Sequence, residues 1–501
     1  MNVDAKGSVR SASGSARSVQ SYIDETPLWS DGTSTNAAPM TGMQWLIWTL
    51  AAAGKFFEGL VVFMTGVALP LISTEFRLGK TEHGVIGAAS LFGILVGAIG
   101  LGGLSDTFGR KPMFVIETFI FLAFLCLLVM SPNYPLLVLF LFGLGVALGC
   151  DYPTAHVIIS ESIPSHMRGR LVLGAFGFQA LGALMGAVVG FVVLKNFPDI
   201  GAWRFMYAVA IIPALIVAVA RLWITESPHW LLMRGRAAEA VNQMIRLLNR
   251  NPPYPKEVTL AKPAEARGSS SFFDLFAPAN RRATILAAVP WFLQDLGTYG
   301  IGIFTPTILA NAVGQKVGHV RNLADLVNND ELAARGSAFI DLLLIVGMVA
   351  AVLLVSRFGS IRLQVAGFIG CAAGLAIAAA STYASGSAEI AMIFLGFMIF
   401  NFMTNMGPNA QTYLIAGEVF PTKVRGMGAG FAAAFAKIGA VTTAFLFPIL
   451  LADIGREALL FILVGTSLLG AIVTWTFRIE TTGVNLETIG SEPIRGELNR
   501  A

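Results

Sequence analysis

Glu161-Ser-Ile-Pro164-Ser-His-Met-Arg168-Gly169 recurs 257 residues later as Glu418-Val-Phe-Pro421-Thr-Lys-Val-Arg425-Gly426, matching at Glu, Pro, Arg and Gly. Phe108-Gly109 is echoed by Phe358-Gly359, displaced by 250 residues. Repeats at this spacing predict a duplicated chain, and the hydropathy around them says what is duplicated. A bilayer crossing takes about 20 predominantly apolar residues. Walking outward gives twelve such segments: 44–72, 84–104, 112–131, 134–160, 171–194, 204–224, 283–310, 336–356, 362–382, 388–417, 427–452 and 456–478. Six precede a polar stretch at 225–282 and six follow it. The reading is an all-α membrane protein with twelve transmembrane helices in two six-helix bundles, and duplicated halves of this kind hold substrate between them near the midplane.

Composition points the same way. Hydrophobic residues make up 55% and charged residues 13% of the chain, against roughly 25% charged in soluble domains. The expected layout is a disordered tail at 1–42, bundles at 43–224 and 283–478, a charged linker at 225–282 and a second tail at 479–501. The first tail is Ser- and Gly-rich without an apolar run, so it is neither a signal peptide nor a span. Small-residue stripes such as Gly182, Gly186 and Gly190 suit close helix packing in lipid.

Lys and Arg mark the cytoplasmic loops. The linker, Arg110 with Lys111, Arg168 with Arg170, Arg357 with Arg362, and Lys423 with Arg425 all fall on one side, which predicts a multi-pass protein of the plasma (inner) membrane with both termini cytoplasmic. The net charge of +4 reflects this topology and gives no ground for nucleic-acid binding. Cys126, Cys150 and Cys371 all lie in apolar spans, so neither disulfides nor a metal site is expected. No Gly-x-x-x-x-Gly-Lys-Ser/Thr loop is present to drive an ATP pump, and no catalytic constellation suggests an enzyme.

Lys55, Glu58, Glu117, Asp151, Asp295 and Lys437 lie inside spans. A charge at bilayer depth costs a few kcal/mol and persists mainly where it lines a substrate or ion path. Trp291, Asp295 and Tyr299 are four apart, so a helix sets them on one face. Lys437 is the one charge in its span, and an ammonium in a dry cavity attracts an anion.

The loop motifs carry a resemblance. Gly103-Leu104-Ser-Asp106-Thr-Phe-Gly109-Arg110-Lys111, the paired Glu-x-x-Pro-x-x-x-Arg-Gly stretches and Glu226-Ser-Pro-His-Trp-Leu231 resemble the signatures of the major facilitator superfamily and its sugar-porter branch in the wide sense. The resemblance implies that Asp106, Arg110, Glu161, Arg168, Glu418 and Arg425 form gating ion pairs that hold in one state and break in the other. Gly149-Cys-Asp151-Tyr152-Pro153, Trp291-Phe-Leu-Gln-Asp295-Leu-Gly-Thr-Tyr299, Gly407-Pro-Asn409 and Ala436-Lys437-Ile-Gly439 narrow it to the phosphate:proton symporters. That family implies a substrate cradle of Tyr152, Gln179, Trp291, Asp295, Tyr299, Asn409 and Lys437, with Glu58, Glu117 and Asp151 as proton-coupling acids. Asp295 would accept from a phosphate hydroxyl, which sulfate lacks. The chain departs from the family in carrying Glu58 for the usual Asp, Val61 where a second acid is usual, and the extra cation Lys55.

The expected function is proton-coupled symport of a small anion, with inorganic phosphate first. Symport of an organic acid or sugar is the alternative, and a substrate-sensing receptor is the reading from another class. The expected partners are the small anion, protons and the lipid bilayer. No cofactor is implied. A monomer suffices, and the oligomeric state is left open.

Overall fold

The computed structural model describes residues 17–25, 39–100, 104–250, 255–259, 271–317, 323–421 and 424–480. Twelve long helices dominate: α1 (Gly42–Phe76), α2 (Lys80–Gly100), α3 (Arg110–Val129), α4 (Tyr134–Ser162), α5 (Ser165–Asn196), α6 (Ala202–Arg221), α7 (Arg281–Val317), α8 (Leu323–Phe358), α9 (Ser360–Ala380), α10 (Ser387–Glu418), α11 (Arg425–Asp453) and α12 (Gly455–Thr476). Among the described residues, eleven of these are long and apolar enough to cross a membrane; the twelfth, α7, carries Gln294, Asp295 and Thr298 in its middle. The predicted two-bundle architecture is the one observed.

Packing follows the duplication. In the first half α1 lies on α5 and α2 on α4, and in the second α7 lies on α11 and α8 on α10. The halves meet through α2 with α11, α5 with α8, and α1 with α7, pairs that a pseudo-two-fold axis exchanges. Thr41 caps α1 in a capping box with Gln44, satisfying amides that a helix start leaves orphaned. At 35 residues α1 extends about 52 Å, well beyond the ~30 Å hydrocarbon core. In α10, Gly407 adopts non-helical φ −106° and ψ −104°, and Pro408 restarts the helix.

The α1–α5 crossing depends on glycine. Gly59 lies against the Gln179 backbone and Gly182 against the Phe56 backbone, each too close to admit a Cβ. Small residues let the helix backbones approach. This contact sets Glu58 beside Gln179.

At the end of the first bundle that bears the linker, the structure departs from the expected disordered tail. Arg17–Ser18 (β1) pairs in parallel with Val258–Thr259 (β2), and Val19–Ile23 forms a short helix. Val19 and Ile23 are buried against Ile47, Ile159 and Met244. Asp24 accepts hydrogen bonds from the Ser165 amide at 2.7 Å and hydroxyl at 2.8 Å. Gln20 accepts from Arg168 at 3.0 Å, and Arg250 pairs with Glu25 at 2.8 Å. Two apolar side chains four residues apart gave this segment one helical face to bury, too short a signal to stand out from the polar stretch around it. The linker likewise contains helices, Pro228–Met233 and Ala237–Leu248.

Candidate functional site

Six side chains from four helices of both halves converge between the bundles. Lys437 of α11 donates to the Tyr299 hydroxyl of α7 at 2.5 Å and lies 3.4 Å from Glu58 Oε1 and 3.7 Å from Asp295 Oδ2. Its ammonium also stands 4.4 Å from the Tyr299 ring centre. Tyr299 donates to Glu58 Oε1 at 3.1 Å, and Gln179 Nε2 donates to Tyr299 at 2.9 Å and reaches Glu58 at 3.4 Å. Lys55, one turn before Glu58 on α1, donates to Glu58 Oε2 at 2.5 Å. Two ammonium groups thus face two carboxylates, and the cluster is neutral when all four are charged. The Lys55 and Lys437 side chains keep 12% and 16% of their surface, whereas Glu58 and Asp295 keep 3% each, so the acids are the more deeply buried members of the cluster.

Of the predicted cradle, the structure joins Gln179, Asp295, Tyr299 and Lys437. Asn409 enters an adjoining ladder, accepting from Gln294 at 3.1 Å and donating to Asn405 at 2.6 Å, while Gln294 donates to Thr298 at 2.8 Å. Trp291 is buried one turn from Asp295 with its ring edge-on to Tyr413, centroids 6.1 Å apart. The side chain of Tyr152 lies outside the described residues. Tyr413 also stacks on Phe176 at 5.0 Å and bonds His156 Nδ1 at 2.8 Å, tying α10 to α5 and α4 across the two halves.

The three predicted proton-coupling acids divide. Glu58 belongs to the Lys437 cluster. Glu117 of α3 and Asp151 of α4 instead share Arg221 of α6, whose Nη1 lies 3.5 Å from Glu117 Oε1 and 2.6 Å from Asp151 Oδ1. Arg221 also donates to Thr118 Oγ1 at 2.5 Å, Phe114 O at 2.8 Å and Leu50 O at 2.9 Å. Its guanidinium centre stands 3.4 Å from the Phe114 ring centre. Every one of these groups is buried. Beside them a cavity of about 10 Å³ is lined by Gly54, Glu117, Asp151 and Arg221, near the lower limit for one water. The Asp151 carboxylate packs on Gly54, and residues four apart share a helix face, so this acid pair lies about one turn of α1 from Glu58. Sequence reasoning missed Arg221 because it stands three residues from the expected end of its span.

At the linker end, Arg110 lies 2.8 Å from Asp106 and 3.2 Å from Glu161. Trp230 Nε1 donates to Asp106 O at 2.9 Å, which gives the Glu226–Leu231 motif its place. Glu226 accepts from the amides of Arg110 and Lys111, both at 3.1 Å, and burial pushes its carboxyl up from the usual range against those bonds. Arg168 is engaged by Gln20, as described, rather than sharing the Arg110–Glu161 pair. Arg425 donates to Phe420 O at 3.1 Å. At the opposite end Lys80 of α2 pairs with Asp453 of α11, closing one half on the other.

Residues 47–492 match the family model described as "Sugar (and other) transporter". The chain is 30% identical over 461 residues to the inner membrane metabolite transport protein YgcS of Escherichia coli, covering 90% of this chain and 95% of that one. It is 29% identical over 424 residues to the repressible high-affinity phosphate permease of Neurospora crassa, covering 77% and 73%. Among solved structures it is similar to the partially occluded inward-open xylose transporter XylE of E. coli, with a TM-score of 0.70 at 19% identity over 88% of this chain and 99% of that one.

Proposed function

The chain belongs to the sugar (and other) transporter family, a family of membrane transporters and not of enzymes, and on that premise we propose that it is a proton-coupled symporter of a small anion. The observation that carries the reading is the position of Lys437 between the halves, bonded to the Tyr299 hydroxyl that Gln179 also engages and set 3.7 Å from Asp295. A neutral sugar gives no reason to hold a cation there. An anion does, because charge-assisted bonds to an ammonium are about twice as strong as neutral ones.

Inorganic phosphate is the first candidate. The four assembled cradle residues and the likeness to a protein named as a phosphate permease support it. The proton enters at the Glu117–Asp151 pair, where two acids share one guanidinium and the group is neutral with one proton aboard. It passes one turn along α1 to Glu58, beside the anion. Substrate and proton load together because each offsets the charge of the other in a site of low dielectric. The linker end faces the cytoplasm of the plasma (inner) membrane, and the Asp106–Arg110–Glu161 network braces that end of the first bundle while the halves rock about the site.

Uptake into proteoliposomes tests the reading. Labelled phosphate should accumulate when the interior is alkaline, and competition by phosphate, sulfate, short carboxylates and hexoses ranks the substrates. Competition by hexoses alone would overturn it.

A further inference from the structure

Lys55 has no part in the reading so far, yet its bond to Glu58 at 2.5 Å is as short as any in the cluster. The Glu58 carboxylate lies between two ammonium groups, Oε2 on Lys55 and Oε1 on Lys437 at 3.4 Å, and also receives Tyr299 at 3.1 Å. Each oxygen has its own cation. This is the coordination expected of a bound oxyanion, supplied from within the chain.

We propose that Lys55 is a second substrate-binding cation, that Lys55 and Lys437 together bracket the two terminal oxygens of a carboxylate or phosphate, and that Glu58 occupies the bracket as its internal placeholder when substrate is absent. The inference rests on the proposed anion symport and deepens it. A placeholder is needed because two half-buried ammonium groups left without counter-charge are costly. An arriving anion takes the carboxylate's position, and Glu58 yields it by taking up the coupled proton. The loaded bracket then holds Lys55, Lys437, ionised Asp295, neutral Glu58 and one negative charge from the ligand, which returns the cluster to neutrality. The symported species is therefore a monoanion travelling with one proton.

The groups facing Glu58 are compatible with this exchange. Lys55 is on its own helix, α7 presents Tyr299 and Asp295, α11 presents Lys437, and α5 presents the non-titrating Gln179. From α4 comes Asp151, one turn away on the Gly54 side, with Arg221 of α6 and Glu117 of α3 behind it. Phe176 stands 5.6 Å from the Lys55 ammonium, which favours the cation whichever anion it holds.

The test is binding to the full-length protein in nanodiscs, with inorganic phosphate, lactate and glucose as probes across pH 5.5 to 8. Lys55→Gln should weaken the bound anion by about tenfold to a hundredfold, and Lys55→Arg should restore much of it, since one charge-assisted bond is at stake. Glu58→Gln removes the placeholder. It should bind that anion more tightly than wild type, with affinity for the monoanionic form independent of pH, and Lys55→Gln in the same chain should cancel the gain. Preference for phosphate or for lactate tells which oxyanion the bracket takes. Wild-type anion affinity in Lys55→Gln overturns the inference, whether or not Glu58→Gln folds. If wild type binds glucose and neither anion, it is the symport reading that fails.

Discussion

Replacing Asp151 by Asn separates coupling from transport. In the wild type its carboxylate stands 2.6 Å from Arg221, with Glu117 3.5 Å from the same nitrogen. The amide keeps the shape but cannot carry the proton, and Arg221 with Glu117 is already neutral without one. Removing the sole partner of a buried cation costs about 3–5 kcal/mol. Here Glu117 remains as counter-charge and the carbonyls of Phe114 and Leu50 still hold the guanidinium, so the loss should be nearer the 1–3 kcal/mol of one charged hydrogen bond and the variant should fold. The functional magnitude is larger in kind. One pH unit is worth about 1.4 kcal/mol per proton, so one-to-one symport sustains roughly tenfold accumulation per unit of gradient. In proteoliposomes with an alkaline interior, wild type should reach that ratio and Asp151→Asn should fall to equal concentrations inside and out. Counterflow of labelled against unlabelled substrate, which moves no net proton, should persist. Asp151→Asn accumulating substrate like wild type would refute the assignment of the acid pair to the proton.

The remaining predictions address the site, the topology and the packing. Lys437→Ala should abolish anion binding, and Asp295→Asn should narrow the preference for phosphate over sulfate by about five- to a hundredfold, because an amide can donate to sulfate where a carboxylate cannot; competition against labelled phosphate reads both. A cysteine at Asn242, exposed on the linker helix, should react with a membrane-impermeant maleimide only after the cells are opened, and labelling of intact cells would reverse the orientation. Gly182→Val forces a Cβ onto the Phe56 backbone and should lower the yield of monodisperse protein, overpacking costing at least about 1–3 kcal/mol; Gly417→Ala, which meets nothing within 4 Å, should leave the gel-filtration profile unchanged.

The fold was readable because its determinants are local or nearly so: each span declares itself by length and apolarity, and the Glu161–Gly169 repeat declares the duplication. The composition of the Lys437 cluster was partly readable for a similar reason. Asp295 and Tyr299 are four residues apart on α7, and an isolated Lys437 in an apolar span has to face something polar. What the sequence could not express is which buried acid meets which buried cation. Glu58, Glu117 and Asp151 look equivalent as single charges in apolar runs. They differ only once Gly59 and Gly182 bring α1 onto α5, which hands Glu58 to Gln179 and Lys437, and once α6 delivers Arg221 to the other two.

That division bears on the mechanism. If all three acids sat in one cluster with Lys55 and Lys437, substrate and proton would compete for the same cations and the empty site would carry net negative charge. With Glu117 and Asp151 on Arg221, each cluster can be neutral when empty, and one proton on the acid pair is enough to achieve this there. Loading then keeps the Lys55–Lys437 cluster neutral, provided the proton moves to Glu58 as the anion arrives, and leaves the acid pair with one net negative charge that draws in the next proton. Gly54 is the position where this can be interrupted without touching a charge, because it separates the Asp151 carboxylate from the Lys55–Glu58 turn and has no room for a Cβ. A Gly54→Ala substitution should therefore displace Asp151, and its signature should resemble Asp151→Asn, with counterflow kept and gradient-driven accumulation lost. Loss of both together, in protein that still elutes as a single species, would mean that the two clusters act as one and that the proton does not travel between them.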